Sequence, residues 1–302
     1  MQGRLKYFAA AAIAAALWGF MSISLRAIQQ WPSEDILYYR IFVSTVLIWP
    51  FILLFRRKKL NSSLRHLQSV SPAHRRRLII LTVIASLLIM GNWFTFIYAV
   101  NRVSIQSAAF AYLVCPLLTT LSAFFILKER LTGLKKIALA IALVSVILLA
   151  RGSLHDVAWS VGIASFYALY LVVQRVIQQV DRLFILAVQL TLCSLLILPF
   201  LLSQHHPVPD SPVFWTNMTV IAVVFTIIPL YLSLYALNGI SSTTVGILVY
   251  INPIIAFVIA VTYFNEPVLP YQLLAYLVLF FAVFLFNWGA LQKVFHKFAW
   301  NR

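Results

Sequence analysis

Apolar residues run in ten long stretches along this chain, and polar or charged residues gather in the short segments between them. Each stretch is close to the roughly 20 residues that a helix needs to cross a hydrocarbon layer of ~30 Å. Lipid offers the backbone no hydrogen-bond partner, whereas a helix satisfies its own backbone within one segment. The pattern therefore predicts ten transmembrane helices, near residues 5–30, 36–55, 78–100, 105–128, 135–151, 157–178, 182–202, 213–237, 241–264 and 268–291.

Composition agrees with a protein that has lipid as its solvent. Apolar residues make up 63% of the 302 residues and charged residues only 10%, whereas soluble domains carry about a quarter. The two cysteines, Cys115 and Cys193, fall inside predicted helices, so they form no disulfide or metal framework. The sequence contains no motif of a hydrolase or a phosphate-binding loop. We predict an all-α integral membrane protein that is not an enzyme and uses no cofactor.

The formal net charge is +16, and the basic residues lie mostly on one side of the membrane. With both termini placed inside, nineteen Lys and Arg residues lie on that side. Only Arg102 and Arg151 lie outside, and Arg26 and Arg40 fall within helices. This asymmetry is the positive-inside rule, so it predicts cytoplasmic termini and leaves no need for nucleic acid as a partner. The most basic segment, 56–77, is predicted as a loop that could also touch anionic lipid headgroups.

The chain repeats itself at several positions in register. A proline follows fifteen residues after each of two asparagines, and a glutamate follows twenty-eight residues after each. The matched pairs are Asn101 and Asn238, Pro116 and Pro253, Glu129 and Glu266, and, at a slightly larger offset, Arg26 and Arg175. The two glutamates fall at predicted helix ends, where we expect them to close a turn against neighbouring N–H groups. Several matches at shared offsets indicate an internal duplication.

The two halves, 1–151 and 152–302, each contain five predicted helices. Because five is an odd number, the second half must enter the membrane with the opposite orientation. The loop after the second helix carries eight basic residues, while the equivalent segment 203–212 carries none, in agreement with this inversion. Inverted repeats are typical of alternating-access transporters, in which the substrate site lies near the midplane between the halves.

Several short motifs resemble one family. They are Gly91-Asn92-Trp93-Phe94, Tyr98-Ala99-Val100-Asn101, Leu17-Trp18-Gly19, Asp35-Ile36-Leu37 with Arg40, and Lys128-Glu129-Arg130-Leu131. The chain is similar in these to the chloramphenicol-sensitive RarD-type proteins of the EamA branch of the drug/metabolite transporter superfamily. The resemblance is sharper in the first half. It implies ten helices in two EamA repeats and a bacterial inner-membrane location, and it implies no particular substrate.

Four polar residues inside the predicted helices are candidates for a substrate cavity. Asn92 lies about 12 Å below the end of its helix, and Asn252 is similarly deep, so each amide needs a polar partner. They either face a cavity or join helices to each other. Arg40 lies only about 7 Å from its helix start, so it either reaches the surface or lines the cavity and favours anionic or zwitterionic substrates. Gln189 stands at the repeat position of Arg40.

Aromatic residues and prolines complete the candidate site. Trp18 matches Tyr167 by the repeat offset, and both could wall a cavity together with Trp93, Tyr112 and Tyr250. The alternative for each aromatic side chain is ordinary packing.

Pro116 and Pro253 are expected near the middle of their helices. Each removes the donor for the carbonyl four residues earlier, at Tyr112 and Val249. They act either as hinges or as static kinks.

We expect a transporter that moves a small polar metabolite, an amino acid or a related compound, by alternating access around a central cavity, with export as the direction. A permease for amphipathic drugs is the alternative within the same class. A channel or a scaffold that transports nothing is the alternative from another class. The expected partners are a small-molecule substrate and the lipid bilayer, with a homodimer as a further option.

Overall fold

The computed structural model describes residues 2–128, 132–150, 153–177, 180–203, 207–236, 239–240 and 248–299. Within these ranges the regular secondary structure is helical, with no strand. The α-helices are α1 (Gln2–Ala27), α2 (Ser33–Phe55), α3 (Arg57–Ser69), α4 (Pro72–Tyr98), α5 (Ile105–Leu127), α6 (Gly133–Ala150), α7 (Leu154–Val176), α8 (Arg182–Ser203), α9 (Pro212–Ala222), α10 (Ile228–Ala236), α11 (Ile251–Thr262) and α12 (Pro270–Ala299). A π-helical turn, Ala99–Val103, extends α4, and a second, Val223–Ile227, joins α9 to α10.

Seven helical segments of the described chain are long and apolar enough to cross a bilayer. They are Leu5–Ala27, Ser33–Phe55, Pro72–Val103, Ile105–Ile126, Leu154–Gln174, Arg182–Ser203 and Pro212–Ser233. Two shorter apolar helices, Ile251–Thr262 and Pro270–Phe286, follow them. The chain is therefore an all-α, multi-pass integral membrane protein.

The outward faces of the helices are apolar. Large side chains such as Leu54, Phe125, Leu202 and Phe280 are exposed on the surface, and each comes from a different helix. A soluble protein rarely exposes apolar surface on this scale. The buried positions, in contrast, include polar side chains such as that of Arg40. This distribution matches a protein whose outer surface contacts lipid.

The basic segment after the second span is not a loop, as we expected, but contains the helix α3. Leu60 and Leu67 lie on one face of α3 and pack against a cluster formed by α4, α8 and the segment between α7 and α8. The basic residues Arg57, Lys58 and Lys59 are exposed. Because leucines seven residues apart share one helix face, this periodicity was available in the sequence, but the density of charge concealed it.

The helices surround one shared core. α1 packs against α9, α10 and α11, while α4 packs against α7 and α8. α5 lies between α7 and α11, α2 packs against α8 and α9, and α6 packs against α12. The largest buried cluster draws on nearly all of these helices. Side chains near the centre of this arrangement come from distant parts of the sequence. The candidate site lies among them.

The two prolines expected at mid-helix differ in position. Pro253 is the third residue of α11, because residues 248–249 are helical, a turn falls at Tyr250, and α11 begins at Ile251. A proline is tolerated in the first turn of a helix, where its missing N–H breaks no hydrogen bond within that helix. Pro116 lies within α5, but its side chain is outside the described set.

Candidate substrate cavity

A cavity lies within the helix bundle, between helices from both halves of the chain. Its walls come from α1, α2, α4, α5, α7, α8, α10, α11, the second π-helical turn and the segment just before α11. The lining residues are Trp18, Met21, Arg40, Ile89, Asn92, Trp93, Phe96, Tyr112, Tyr167, Tyr170, Leu186, Phe225, Thr226, Leu230, Val249 and Asn252.

Arg40 supplies the charge of this cavity. Its side chain is 2% exposed, so it does not extend to the membrane surface. Its Nε donates a hydrogen bond to Thr226 Oγ1 at 3.2 Å, and its guanidinium carbon lies 4.4 Å from the centroid of the Trp93 ring. The stacking on Trp93 is a cation–π contact, which strengthens when both groups are removed from water. Of the two alternatives for Arg40, the structure has the residue in the cavity.

Thr226 contacts Arg40 from the π-helical turn Val223–Ile227. The Thr226 hydroxyl accepts from Arg40 Nε and donates to the Ile221 carbonyl at 2.8 Å, so its hydrogen atom is used. The neighbouring carbonyl of Phe225 accepts a hydrogen bond from Trp18 Nε1 at 3.1 Å. A π-helical turn shifts the backbone register, and such turns are frequent at functional sites. Here the turn holds one arginine and one tryptophan of the cavity wall.

Two asparagines add uncharged polar groups to the wall. Asn92 is 1% exposed, and its Nδ2 donates to the Ile163 carbonyl of α7 at 2.9 Å. Its Oδ1 makes no hydrogen bond of ordinary geometry with the described residues. Asn252 is also buried and lies in the first turn of α11. Asn92 therefore both joins α4 to α7 and presents a free acceptor at the cavity.

Aromatic rings form most of the remaining surface. The Tyr112 ring lies 5.5 Å from Phe96 and 5.9 Å from Tyr167, both edge to face. The Tyr167 ring stacks at 5.9 Å on Tyr170. These distances are typical of favourable aromatic pairs. The rings therefore form a continuous wall across α4, α5 and α7 instead of packing separately.

Two of the nine residues that we expected in the cavity lie elsewhere. Gln189 is buried, but its Oε1 accepts from the Tyr170 hydroxyl at 3.3 Å and from Gln174 Nε2 at 3.2 Å, behind the cavity wall. Tyr250 is buried just before α11 and is not part of the lining. The repeat offset aligned Gln189 with Arg40, but its side chain is shorter and Tyr170 stands between it and the cavity. The other seven residues all line the cavity: Trp18, Arg40, Asn92, Trp93, Tyr112, Tyr167 and Asn252.

Sequence reasoning missed several lining residues, above all Thr226, Phe225 and Tyr170. Tyr170 lies three residues after Tyr167, on the same helix face, so helical spacing could have found it. Met21 has the same relation to Trp18. No local pattern marks Thr226, because its position depends on the π-helical turn.

Comparison with known proteins identifies the family. The sequence model of the EamA-like transporter family matches residues 5–151 and again residues 156–288. The chain is 29% identical over 290 residues to the uncharacterized transporter YojE of Bacillus subtilis, with 93% of each protein covered. It is 26% identical to the protein RarD of Salmonella typhimurium and 25% identical to RarD of Escherichia coli, with 83% of each protein covered in both cases.

The fold also occurs among solved structures. One crystal structure aligns with a TM-score of 0.62 and 15% sequence identity, and the alignment covers 96% of this chain and 99% of that one. At this identity the likeness concerns the fold alone. Two matches to one family, relatives along most of the chain and a polar cavity inside an apolar bundle agree with each other. The chain belongs to the EamA-like transporter family, as a membrane transporter of the RarD type.

Proposed function

We propose that this protein moves a small polar metabolite, an amino acid or a related compound, out of a bacterial cell across the inner membrane. Two inverted five-helix repeats, residues 1–151 and 152–302, would rock against each other and open the central cavity to each side in turn. The substrate would bind to the seven residues named above. Pro116, inside α5, and Pro253, in the first turn of α11, would act as the hinges.

The observation that carries the proposal is a symmetry in the cavity wall. Ten of the sixteen lining residues form five pairs, and the members of each pair are separated by one of the two repeat offsets, 149 or 137 residues. The pairs are Trp18 and Tyr167, Met21 and Tyr170, Ile89 and Thr226, Trp93 and Leu230, and Tyr112 and Val249. A cavity on the axis between two related halves would be lined in this way, and transporters place their substrate site there.

The contacts between helices show the same correspondence between the two halves of the chain. Each helix of the first half other than α3 can be matched with one of the second half: α1 with α7, α2 with α8, α4 with the α9–α10 pair, α5 with α11 and α6 with α12. With this matching, each main contact between helices has its counterpart. The contact of α4 with α7 corresponds to that of α1 with α9 and α10, and the contact of α5 with α7 corresponds to that of α1 with α11. Pro50 inside α2 and Pro199 inside α8 are also 149 residues apart. This correspondence supports the proposed arrangement of two repeats.

Membrane orientation rests on the distribution of charge. The basic residues of α3 and of the start of α4 lie on the side that we assign to the cytoplasm, with both termini. Alternating access then requires that the substrate bind differently in the inward-open and outward-open states, because a ligand shifts an equilibrium only by its difference in affinity.

A second candidate is the efflux of amphipathic drugs, which the aromatic wall of the cavity favours. The two candidates differ in what the cavity must contact. A drug of low polarity would depend on the rings and tolerate loss of Arg40, whereas a polar metabolite would depend on the buried polar groups, since leaving those unpaired is costly.

Counterflow in proteoliposomes tests the proposal. Vesicles preloaded with an unlabelled metabolite are diluted into a trace of the labelled compound, and a transporter then accumulates label transiently above equilibrium. We expect saturable counterflow for a member of a metabolite panel, and loss of it in Arg40→Ala and Asn252→Ala. Arg76→Ala, which removes an exposed positive charge, is the matched control. A channel would pass label without this overshoot, and a scaffold would pass none, so either result would refute the proposal.

A further inference from the structure

We infer that the substrate carries a carboxylate, which binds the Arg40 guanidinium, and a flat apolar body, which lies between the aromatic rings of the cavity. This inference rests on the proposed transport function and specifies its substrate class. It depends on the charge, the free hydrogen-bond donor and the aromatic lining of the cavity.

The positive charge of Arg40 has no anionic partner among the described residues of the cavity wall. Its two contacts, the Thr226 hydroxyl and the Trp93 ring, are both neutral. None of the described residues that line the cavity is acidic. Among the described residues, Glu266 pairs with Arg26 and Asp181 with Arg56, both outside the cavity. A charge buried in a protein is normally paired, so an anion from outside the protein would complete this site.

The guanidinium also has a hydrogen-bond donor to spare. Arg40 Nη1 is buried and has no hydrogen-bond partner among the described residues, although Nε is engaged by Thr226. Arginine presents its N–H groups in a planar fork that matches the two oxygens of a carboxylate.

The number of charges limits the class further. Among the described residues that line the cavity, Arg40 is the only basic one. A dianion such as a phosphate ester would bring a second negative charge into a space of low polarity without a second cation. An amine without a carboxylate would place its positive charge beside Arg40. A single carboxylate is therefore the group whose charge Arg40 would balance.

The body of the substrate would meet rings on several sides. Trp18, Trp93, Phe96, Tyr112, Tyr167 and Tyr170 all line the cavity. The rings of Tyr112, Phe96, Tyr167 and Tyr170 are arranged edge to face or stacked on each other. Flat apolar groups bind well against such surfaces, since aromatic pairs contribute beyond the area that they bury.

Three probes of one size separate these features. Phenylacetate, phenylacetamide and phenethylamine share a ring and a short chain but carry a negative, a neutral and a positive group. Binding to the purified full chain in nanodiscs of zwitterionic lipid is followed by tryptophan fluorescence, because Trp18 and Trp93 lie in the wall. We expect phenylacetate to bind about tenfold more tightly than either of the other two, the difference typical of a charge-assisted hydrogen bond.

Variants show whether Arg40 is responsible. Arg40→Gln should remove the preference for phenylacetate, and Arg40→Lys, which keeps the charge but lacks the fork, should keep part of it. Arg102→Gln removes an exposed arginine and should keep all of it. Folding of each variant is checked by size-exclusion chromatography and circular dichroism. If Arg40→Gln does not fold, Arg40→Lys replaces it as the test of the guanidinium.

Several outcomes would overturn the inference. They are equal binding of the amide or the amine, absence of binding by all three probes, and a tenfold preference that survives in Arg40→Gln. Counterflow of the same probes separates this failure from failure of the proposed function. If the amine or the amide is transported and phenylacetate is not, transport stands and the substrate class is wrong. If no compound of a broad panel is transported, the proposed function fails.

Discussion

Glu266 and Arg26 form an ion pair at one end of the helix bundle, with Glu266 Oε1 2.8 Å from Arg26 Nη2. The same carboxylate accepts hydrogen bonds from the backbone N–H groups of Ile105, at 3.0 Å, and of Gln106, at 3.2 Å. One side chain therefore ties the end of α1 and the first turn of α5 to the segment between α11 and α12. We expected Glu266 to close a turn against neighbouring N–H groups, but its carboxylate binds N–H groups of α5 instead. Its repeat counterpart Glu129 lies outside the described residues.

Replacing Glu266 with Gln should destabilise the protein. The amide can still accept one hydrogen bond, but the ion pair with Arg26 and the negative charge at the start of α5 are lost. Because both side chains are largely buried, we expect the free energy of unfolding to fall by about 1–3 kcal/mol. Thermal unfolding in detergent measures this, with Asp210→Asn at an exposed carboxylate as the control. An unchanged melting temperature for Glu266→Gln would contradict the assignment.

Gly19 allows α1 to approach α11 closely. A Cβ atom added at Gly19 would lie 2.7 Å from Ile255 Cβ and 3.0 Å from the Asn252 carbonyl oxygen. Gly19→Ala must therefore push the two helices apart, at a cost of about 1–3 kcal/mol in stability. Since Trp18 and Asn252 line the cavity, counterflow should also decrease.

Gly162→Ala is the matched control for Gly19→Ala, because a Cβ atom at Gly162 meets no atom within 4 Å. We expect this variant to be as stable as the wild type or slightly more so, since alanine loses less backbone freedom in a helix than glycine. The same unfolding and counterflow measurements apply. Equal effects of the two substitutions would rule out a special role for the close approach at Gly19.

Thr226→Val should weaken transport without unfolding the protein. Valine has nearly the shape of threonine but cannot accept from Arg40 Nε, so the guanidinium keeps only the Trp93 ring. A hydrogen bond to a charged group contributes about 1.5–3 kcal/mol, so we expect a loss of at least about tenfold in kcat/KM from counterflow rates. Thr226→Ser keeps the hydroxyl and should retain most of the activity. A serine variant as poor as the valine variant would show that only shape matters there.

Gln189→Leu should affect stability more than binding. Gln189 Oε1 holds Tyr170 and Gln174 behind the wall but does not line the cavity. Loss of this buried network should lower the free energy of unfolding by about 1–3 kcal/mol, while the KM of the transported compound stays within about twofold. Denaturation and counterflow on the same preparation decide this. A large rise in KM with normal stability would place Gln189 at the substrate.

Cysteine labelling tests the predicted orientation of the protein in the membrane. The native Cys115 and Cys193 are buried, so an impermeant maleimide should react weakly with the wild type. Ser69→Cys at the end of α3 should react only in inside-out vesicles, and Asp210→Cys, before α9, should react in intact cells. Both positions are exposed. The reverse pattern would invert our assignment of the two sides.

The cavity shows which site residues a repeat pattern can locate. Trp18, Tyr167, Arg40 and Asn92 could be nominated because a large or polar side chain deep in an apolar helix is conspicuous. Gln189 met the same criterion and was misplaced, because the repeat offset aligns backbones and does not determine where a shorter side chain reaches. Its partners, Tyr170 and Gln174, are recognisable only once α7 and α8 are packed together.

The sequence by itself determined the membrane class, most helix positions and the family resemblance. These depend on local properties, since about 20 apolar residues must form a helix in lipid. Tertiary structure alone decided that α3 packs its leucines on the bundle, that a π-helical turn brings Thr226 to Arg40, and that no acidic residue joins Arg40 in the described cavity wall. Each of these depends on contacts between distant residues, whose distances are set by how the helices pack.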